Sequence, residues 1–241
     1  MTNLTLYAFP TAPGFFNLSP FCAKADILLK LSGLDYRTDM PEDFKALPKG
    51  KLPVLKDGDT LIPDSELIRL YLAEKYGKTL DDGMDETRKA TGHALCRMLD
   101  HRTHLSLMWT RWVDDAGWAQ TKPLYFSEAP EGLADMSRGL VRQNLDGTGF
   151  SRFSDAERLA FFQADLEAAD TLIGDRAFFG GDQPCYVDAS LFGHIANYYA
   201  SPIKSWTTAE VAKRPRLVAY IERGLALWYP DAAAMMAGAA E

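Results

Sequence analysis

Long uncharged apolar runs are absent from this sequence, and no stretch approaches the roughly 20 residues that a membrane helix needs. The amino terminus, MTNLTLYAFP, lacks the basic start, apolar run and small-residue cleavage site of a secretory leader, so a cytoplasmic setting without membrane association is the expectation. Cysteine is scarce: Cys22, Cys96 and Cys185 are odd in number and far apart, which suits reduced thiols and argues against a disulfide framework. Basic charge is in deficit, with 26 Lys plus Arg against 33 Asp plus Glu. The resulting net charge of −7 argues against general affinity for nucleic acid or an anionic lipid surface. Repeats and heptad runs are missing too, and the one biased tract, the tail AAAMMAGAAE, is expected to fray.

What is present is enough apolar material, 47% of 241 residues, for one or two packed cores. Leu4 to Phe9 reads as a short strand entering a Pro/Gly-rich loop, Pro10 to Gly14, that is mobile or faces a ligand. Ser19 then offers an N-cap and Pro20 a first helical position. Phe21, Ala25, Leu28, Leu29 and Leu31 form the apolar stripe of a helix that stops at Gly33. DYRTDM is a second strand, LPVLKDG and DTLIP are two strands joined at Asp57-Gly58, and Asp64 or Ser65 caps a helix running to Tyr76. The order βαβ then ββα requires a small mixed sheet with helices packed on it. Residues 1–77 are therefore expected to form an α/β domain, followed by a linker at 78–87. From 88 to 241 the pattern is helical, over about 88–116, 132–146, 154–174, 187–200 and 215–228, and an all-α domain is expected.

Ser19-Pro20-Phe21-Cys22 looks like a redox dithiol motif whose first thiol has become a hydroxyl. Both Ser19 and Cys22 fall in the first helical turn, where free amides favour an anion, so a thiolate held there would be stabilised. A capping serine beside a buried structural cysteine explains the same residues. Pro53 opens a strand at the point where a ladder donor is lost; a cis Leu52-Pro53 bond would leave the Leu52 N–H and C=O to pair with a peptide-like ligand. Asp64 and Ser65 at a second helix N-terminus suit the carboxylate and ammonium of an α-amino acid, or make a plain cap with Glu66.

In order and spacing, Leu6-Tyr7, Ser19 to Cys22, Lys51-Leu52-Pro53-Val54-Leu55 and Asp64-Ser65 resemble the glutathione transferases. GGDQPCYVDASLFGHI and RPRLVAYIERGLALWYP are similar to the capping-box region and C-terminal helix of that family's helical domain. Ser19 to Lys24, Val187 to Ala189 and Gly147 to Arg152 are closest to its metaxin-like and failed-axon-connections-like branch. The resemblance implies a thioredoxin-like N-terminal domain and a helical-bundle C-terminal domain. It implies that Ser19 lies nearest the glutathione sulfur, with Cys22 as a second catalytic candidate. Leu52, beside Pro53, would pair with the cysteinyl unit, Asp64 and Ser65 with the γ-glutamyl end, and Lys51 with the glycyl carboxylate. Tyr7 sits one residue out of register with the family's strand tyrosine and is given a packing role. Two departures stand out: the long loop from Pro10 to Leu18, and Cys185 where the capping box usually has Ser or Thr.

His93, Cys96, Asp100 and His104 recur at helical steps and share a face that could hold zinc, although a polar helix face explains the stripe without metal, and none is expected. Trp109, Arg111 and Trp112 combine apolar surface with one charge. Together with Phe15, Asn17 and His104 they are the substrate-pocket candidates, and the tryptophans equally suit a core. The expected activity is transfer of the glutathione thiolate to a small, hydrophobic electrophile by a homodimer, with glutathione as co-substrate. The rival readings are a metaxin-like protein without catalysis and a thiol reductase using Cys22.

Overall fold

The computed structural model describes residues 4–9, 11 and 15–238, so most of the Pro10 to Gly14 loop and the last three residues of the tail lie outside the described residues. Four short strands form one mixed sheet in the order β2-β1-β3-β4: β1 (Leu4–Tyr7), β2 (Tyr36–Asp39), β3 (Val54–Asp57) and β4 (Thr60–Pro63). β1 runs parallel to β2 and antiparallel to β3, and β3 turns back on β4 through Gly58, whose φ of 59° supplies the tight reversal. Helix α1 (Pro20–Ser32) crosses between β1 and β2 and ends in the left-handed Gly33; α2 (Ser65–Tyr76) follows β4 and ends in Gly77 in the same way. Leu4, Leu6, Ile27, Leu28, Leu55, Ile68 and Leu72 bury the apolar stripes of these elements against one another.

The helical part departs from the sequence reading in three places. The long helix expected over 88–116 is a chain of shorter pieces: α3 (Glu86–Arg97), a π-helical stretch Met98–Thr103, α4 (His104–Met108) and a second π-helical stretch Trp109–Val113. It stops at Asp114, whose carboxylate takes the Ala116 and Gly117 amides to start an unforeseen helix, α5 (Asp115–Phe126). The apolar periodicity runs through the break because Gly117 lets the new helix pass over the Thr110 carbonyl, where a Cβ would come within 1.6 Å. Helices α6 (Leu133–Thr148), α7 (Asp155–Ile173), α8 (Tyr186–Tyr199) and α10 (Pro215–Trp228) occur close to their expected positions, while α9 (Trp206–Ala212) was not foreseen. The Ala-rich tail does not fray over its described part: Pro230 starts α11 (Pro230–Gly238), which buries Ala232.

Two contacts fix the helical part on the sheet. Helix α8 lies along α1 so closely that a Cβ on Gly193 would stand 2.6 Å from the Pro20 carbonyl oxygen. Alongside, Lys24 of α1 is fully buried, with its ammonium 2.7 Å from Asp100 in the first π-helical stretch and 3.1 Å from Glu66 of α2. Asp100 also accepts from Ser190 at 2.6 Å, contacts His194 at 3.1 Å and pairs with Arg97 at 2.7 Å. Burial, next to His194 and Arg111, pushes His104 down to about 3.

Gly193→Ala is expected to destabilise by about 1–3 kcal/mol, since backbone must move. The exposed Gly139→Ala on α6, with open space around it, should gain about 1 kcal/mol. Urea unfolding of both variants checks the pair. The folded state keeps His104 neutral, whereas the unfolded chain protonates it near pH 6.5. Stability is then full above that pH and falls as the pH drops toward 3, by up to about 1.4 kcal/mol per unit from this group. His104→Gln should flatten the decline in urea midpoint between pH 7.5 and 5; an equal decline in both proteins would exclude His104 as its source.

Candidate active site

The α1 N-terminus is built as its sequence demands: the Ser19 hydroxyl accepts the Cys22 amide at 3.3 Å, and Pro20 occupies the first helical position without needing a partner. Ser19 is half-buried. Cys22 is a different matter, because it has no exposed surface and burial pushes its thiol up to about 11, against weaker opposing contacts from Ser19 and the Phe9 backbone amide. The stabilised thiolate expected there is therefore corrected to a buried, protonated packing residue. Cys185 is likewise buried and raised, yet Asp188 completes the α8 start by taking the Phe179, Gly180 and Cys185 amides.

Between the sheet domain and α3 lies a cavity of about 270 Å³. All five residues assigned on sequence grounds to a peptide thiol line it: Lys51, Leu52, Pro53, Asp64 and Ser65. The Leu52-Pro53 bond is cis. Among the described residues neither the N–H nor the C=O of Leu52 takes part in a hydrogen bond, so both remain for a ligand. Asp64 adopts φ 75°, and Lys49, on the same wall, φ 64°. Left-handed backbone at two non-glycine residues around one cavity marks a place where local geometry is held against its preference. Asp64 uses one carboxylate oxygen to cap α2, taking the Glu66 amide at 2.8 Å and the Leu67 amide at 3.4 Å.

Phe21, Pro63, Glu66, Arg97, Asp100 and His101 complete the lining. Burial works against charge on Glu66 and Asp100, but Arg69 and Lys24 hold Glu66 below the usual carboxylate range, and His194 and Lys24 hold Asp100 well below it. Sequence reasoning missed Lys24, Arg97 and Asn197 as site-building groups. Lys24 alone left a signal, a charge embedded in the buried stripe of α1.

The substrate-pocket candidates are scattered. Phe15 packs on Phe16 in the core, with ring centroids 4.5 Å apart. Asn17 is buried: it donates to the Phe9 carbonyl at 2.6 Å and accepts the Ser19 amide at 3.0 Å. Arg111 donates to the Leu18 carbonyl at 2.6 Å and to Asn197 and Ser201, while Asn197 donates to the Asn17 carbonyl at 3.1 Å. Asn17 and Arg111 thus clamp the segment before Ser19 through partners among the described residues. Trp109 stacks under Arg158 at 3.6 Å and against Phe150, away from the cavity lining. Trp112 packs on Tyr125, and Tyr125 reaches Phe9 and the Leu18 carbonyl, so this aromatic wall does approach the Ser19 segment. His104 sits edge-on behind Phe21 at 4.7 Å.

The His93, Cys96, Asp100, His104 stripe does not converge, since His93 is exposed, Cys96 is buried with its thiol pushed up to about 12, and Asp100 is committed to Lys24 and His194. Among the described residues no three His, Cys, Asp or Glu side chains are grouped to hold a metal ion, and no helix is long and apolar enough to cross a membrane.

Residues 20–117 match the family model described as glutathione S-transferase N-terminal domain, and 162–224 match glutathione S-transferase, C-terminal domain. The isoprene-epoxide glutathione S-transferase of Rhodococcus sp. is 32% identical, covering 91% of this chain and 97% of its own. Failed axon connections of Drosophila melanogaster is 26% identical over 94% of this chain, which spans 58% of that longer protein. Metaxin-2 of Mus musculus is 24% identical over 73% of this chain and 69% of its own. In fold, a glutathione S-transferase of Ceriporiopsis subvermispora, solved in complex with glutathione, superposes with a TM-score of 0.62 at 18% identity over 95% and 97% of the two chains. The cis-proline loop, the capped helix starts and these matches have one source: the chain belongs to the glutathione S-transferase superfamily, on its metaxin-like branch.

Proposed function

We propose that the protein binds reduced glutathione in the cavity between its domains and transfers the sulfur to a small, hydrophobic electrophile of the epoxide class. The observation that carries this reading is the convergence of Lys51, Leu52, Pro53, Asp64 and Ser65 on one cavity, where Lys51 would suit the glycyl end, Leu52 beside Pro53 the cysteinyl unit, and Asp64 with Ser65 the γ-glutamyl end of a γ-linked tripeptide. Phe21 lines that cavity from the first turn of α1, and Ser19 caps the same turn. The Ser19 hydroxyl would donate to the glutathione sulfur and, with the helix N-terminus, favour its thiolate. The thiol proton leaves to solvent, the sulfur attacks an epoxide carbon, the carbon–oxygen bond breaks, and the alkoxide takes a proton from water. The epoxide class is supported by the 32% identical Rhodococcus relative, and the aromatic wall of Trp112 and Tyr125 would receive the apolar body of the substrate. We read the protein as a cytoplasmic homodimer; Leu67 and Leu70, 41% and 47% exposed on α2, are apolar surface that pairing would cover.

The metaxin and Failed axon connections relatives favour a second reading, a binding protein that keeps the fold without the chemistry. Millimolar glutathione should raise the melting temperature, and indifference to it would favour that second reading. With an epoxide substrate, Ser19→Ala should lower kcat/KM about 10–100-fold through loss of a hydrogen bond to a charged sulfur. Cys22→Ala should leave kcat/KM within about threefold, because a buried protonated thiol takes no part. Loss of activity on Cys22→Ala with Ser19→Ala unaffected would reverse the assignment.

A further inference from the structure

A second cavity, of about 290 Å³, lies on the face of the sheet that α1 covers, and its lining shares no residue with that of the first. Leu6 of β1 and Thr38 of β2 are register partners and so point to the same side. Leu4 and Tyr36 are partners two positions earlier, and the Tyr36 hydroxyl reaches Asp26 of α1 on that side. A sheet face covered by a helix ordinarily carries Val, Ile or Leu. Here Ala8 and Thr38 are small, and α1 offers the carboxylate of Asp26, so space is left with a polar group in its wall. Thr38 is exposed, and the cavity reaches solvent there.

Asp26 is held but not saturated. Its Oδ1 accepts the Tyr36 hydroxyl at 2.5 Å, while its Oδ2 accepts the Tyr229 hydroxyl at 2.8 Å and meets the Lys30 ammonium at 2.8 Å. A carboxylate oxygen can accept two hydrogen bonds, so among the described residues Oδ1 keeps one place. The Thr38 hydroxyl likewise has no partner among the described residues. Lys30 cancels the charge of Asp26, so an anion would face the carboxylate and a cation would duplicate the ammonium. A neutral hydroxyl donor meets neither penalty. Since about 150 Å³ holds benzene, the space suits one substituted ring.

The same cavity borders the segment that carries Ser19. Phe9 and Asn17 both line it, and the Asn17 carboxamide ties them to Ser19, donating to the Phe9 carbonyl at 2.6 Å and accepting the Ser19 amide at 3.0 Å. An occupant in contact with Asn17 therefore bears on the Ser19 turn without entering the candidate active site.

We propose that this cavity is an effector site for a small, neutral, apolar molecule bearing a hydroxyl, which donates to Asp26 beside Thr38 and acts on Ser19 through Asn17. Neither the ligand nor the site depends on the glutathione reading. Benzyl alcohol, toluene and benzylamine share one ring and differ in the group it carries, and each can be titrated into protein bearing isotope-labelled serine. The Ser19 amide resonance is assigned by its loss in Ser19→Ala. Benzyl alcohol should bind saturably and shift that resonance. Toluene, which lacks the hydroxyl, and benzylamine, a cation beside Lys30, should bind about fivefold or more weakly, the factor a net hydrogen bond supplies. Thr38→Leu fills space and removes a hydroxyl at an exposed position of the edge strand β2, and should weaken benzyl alcohol by a similar factor. A wild type without saturable binding, or with a Ser19 amide indifferent to benzyl alcohol, would overturn the proposal with no variant needed. Toluene or benzylamine binding as tightly as benzyl alcohol would overturn the ligand class, and unaltered affinity in Thr38→Leu would place the ligand elsewhere.

Discussion

One ammonium group holds the two halves of this molecule in register. Lys24 lies on a helix of the sheet domain without contact with water, between a carboxylate from its own domain and one from the other. Such a charge cannot be left unmatched: removing one member of a buried pair typically costs about 3–5 kcal/mol, although the intact pair contributes little net stability. The role of the contact is therefore specification. Lys24 ties α2 to the π-helical stretch after α3, and residues of both elements line the cavity. The wider π-helical turn also brings Asp100 inward while its neighbour His101 reaches the cavity.

The α/β half was legible because its signals are local. Ser19, Gly33, Gly77 and the Gly58 turn act on their own few residues, and each did what its chemistry dictates. The helical half was legible where a stripe met a cap, as at Ser154 and Cys185, and illegible at Asp114, where an apolar pattern runs across a break that only a tertiary contact at Gly117 permits. The candidate site divides in the same way. Leu52-Pro53 and Asp64-Ser65 were nameable from their local chemistry, and Lys51 from the family resemblance. Asn17, Arg111 and Cys22 could not be placed, because what decides their role is a partner some 90 or 180 positions away, or the depth to which neighbours bury them.

Electrostatics then sorts the two catalytic candidates at the α1 terminus. Depth acts against a thiolate and hardly touches a hydroxyl, since a hydroxyl can donate while uncharged. The same helix end that holds its own Cys22 protonated would, on the proposed reading, suit a sulfur brought in by a ligand, which would meet the turn at its surface instead of inside it.

The segment before Ser19 is held by Arg111 and Asn197, both from the helical domain and both buried, whereas α5 and α6 present much of their surface outward. The fold thus separates what must stay constant from what is free to drift. Under the proposed reaction, changes on the outward surface of α5, whose Tyr125 adjoins the Ser19 segment, would alter the surroundings of a second substrate without disturbing the hydroxyl proposed to meet the thiol, so that one scaffold would diversify its electrophiles around a constant partner.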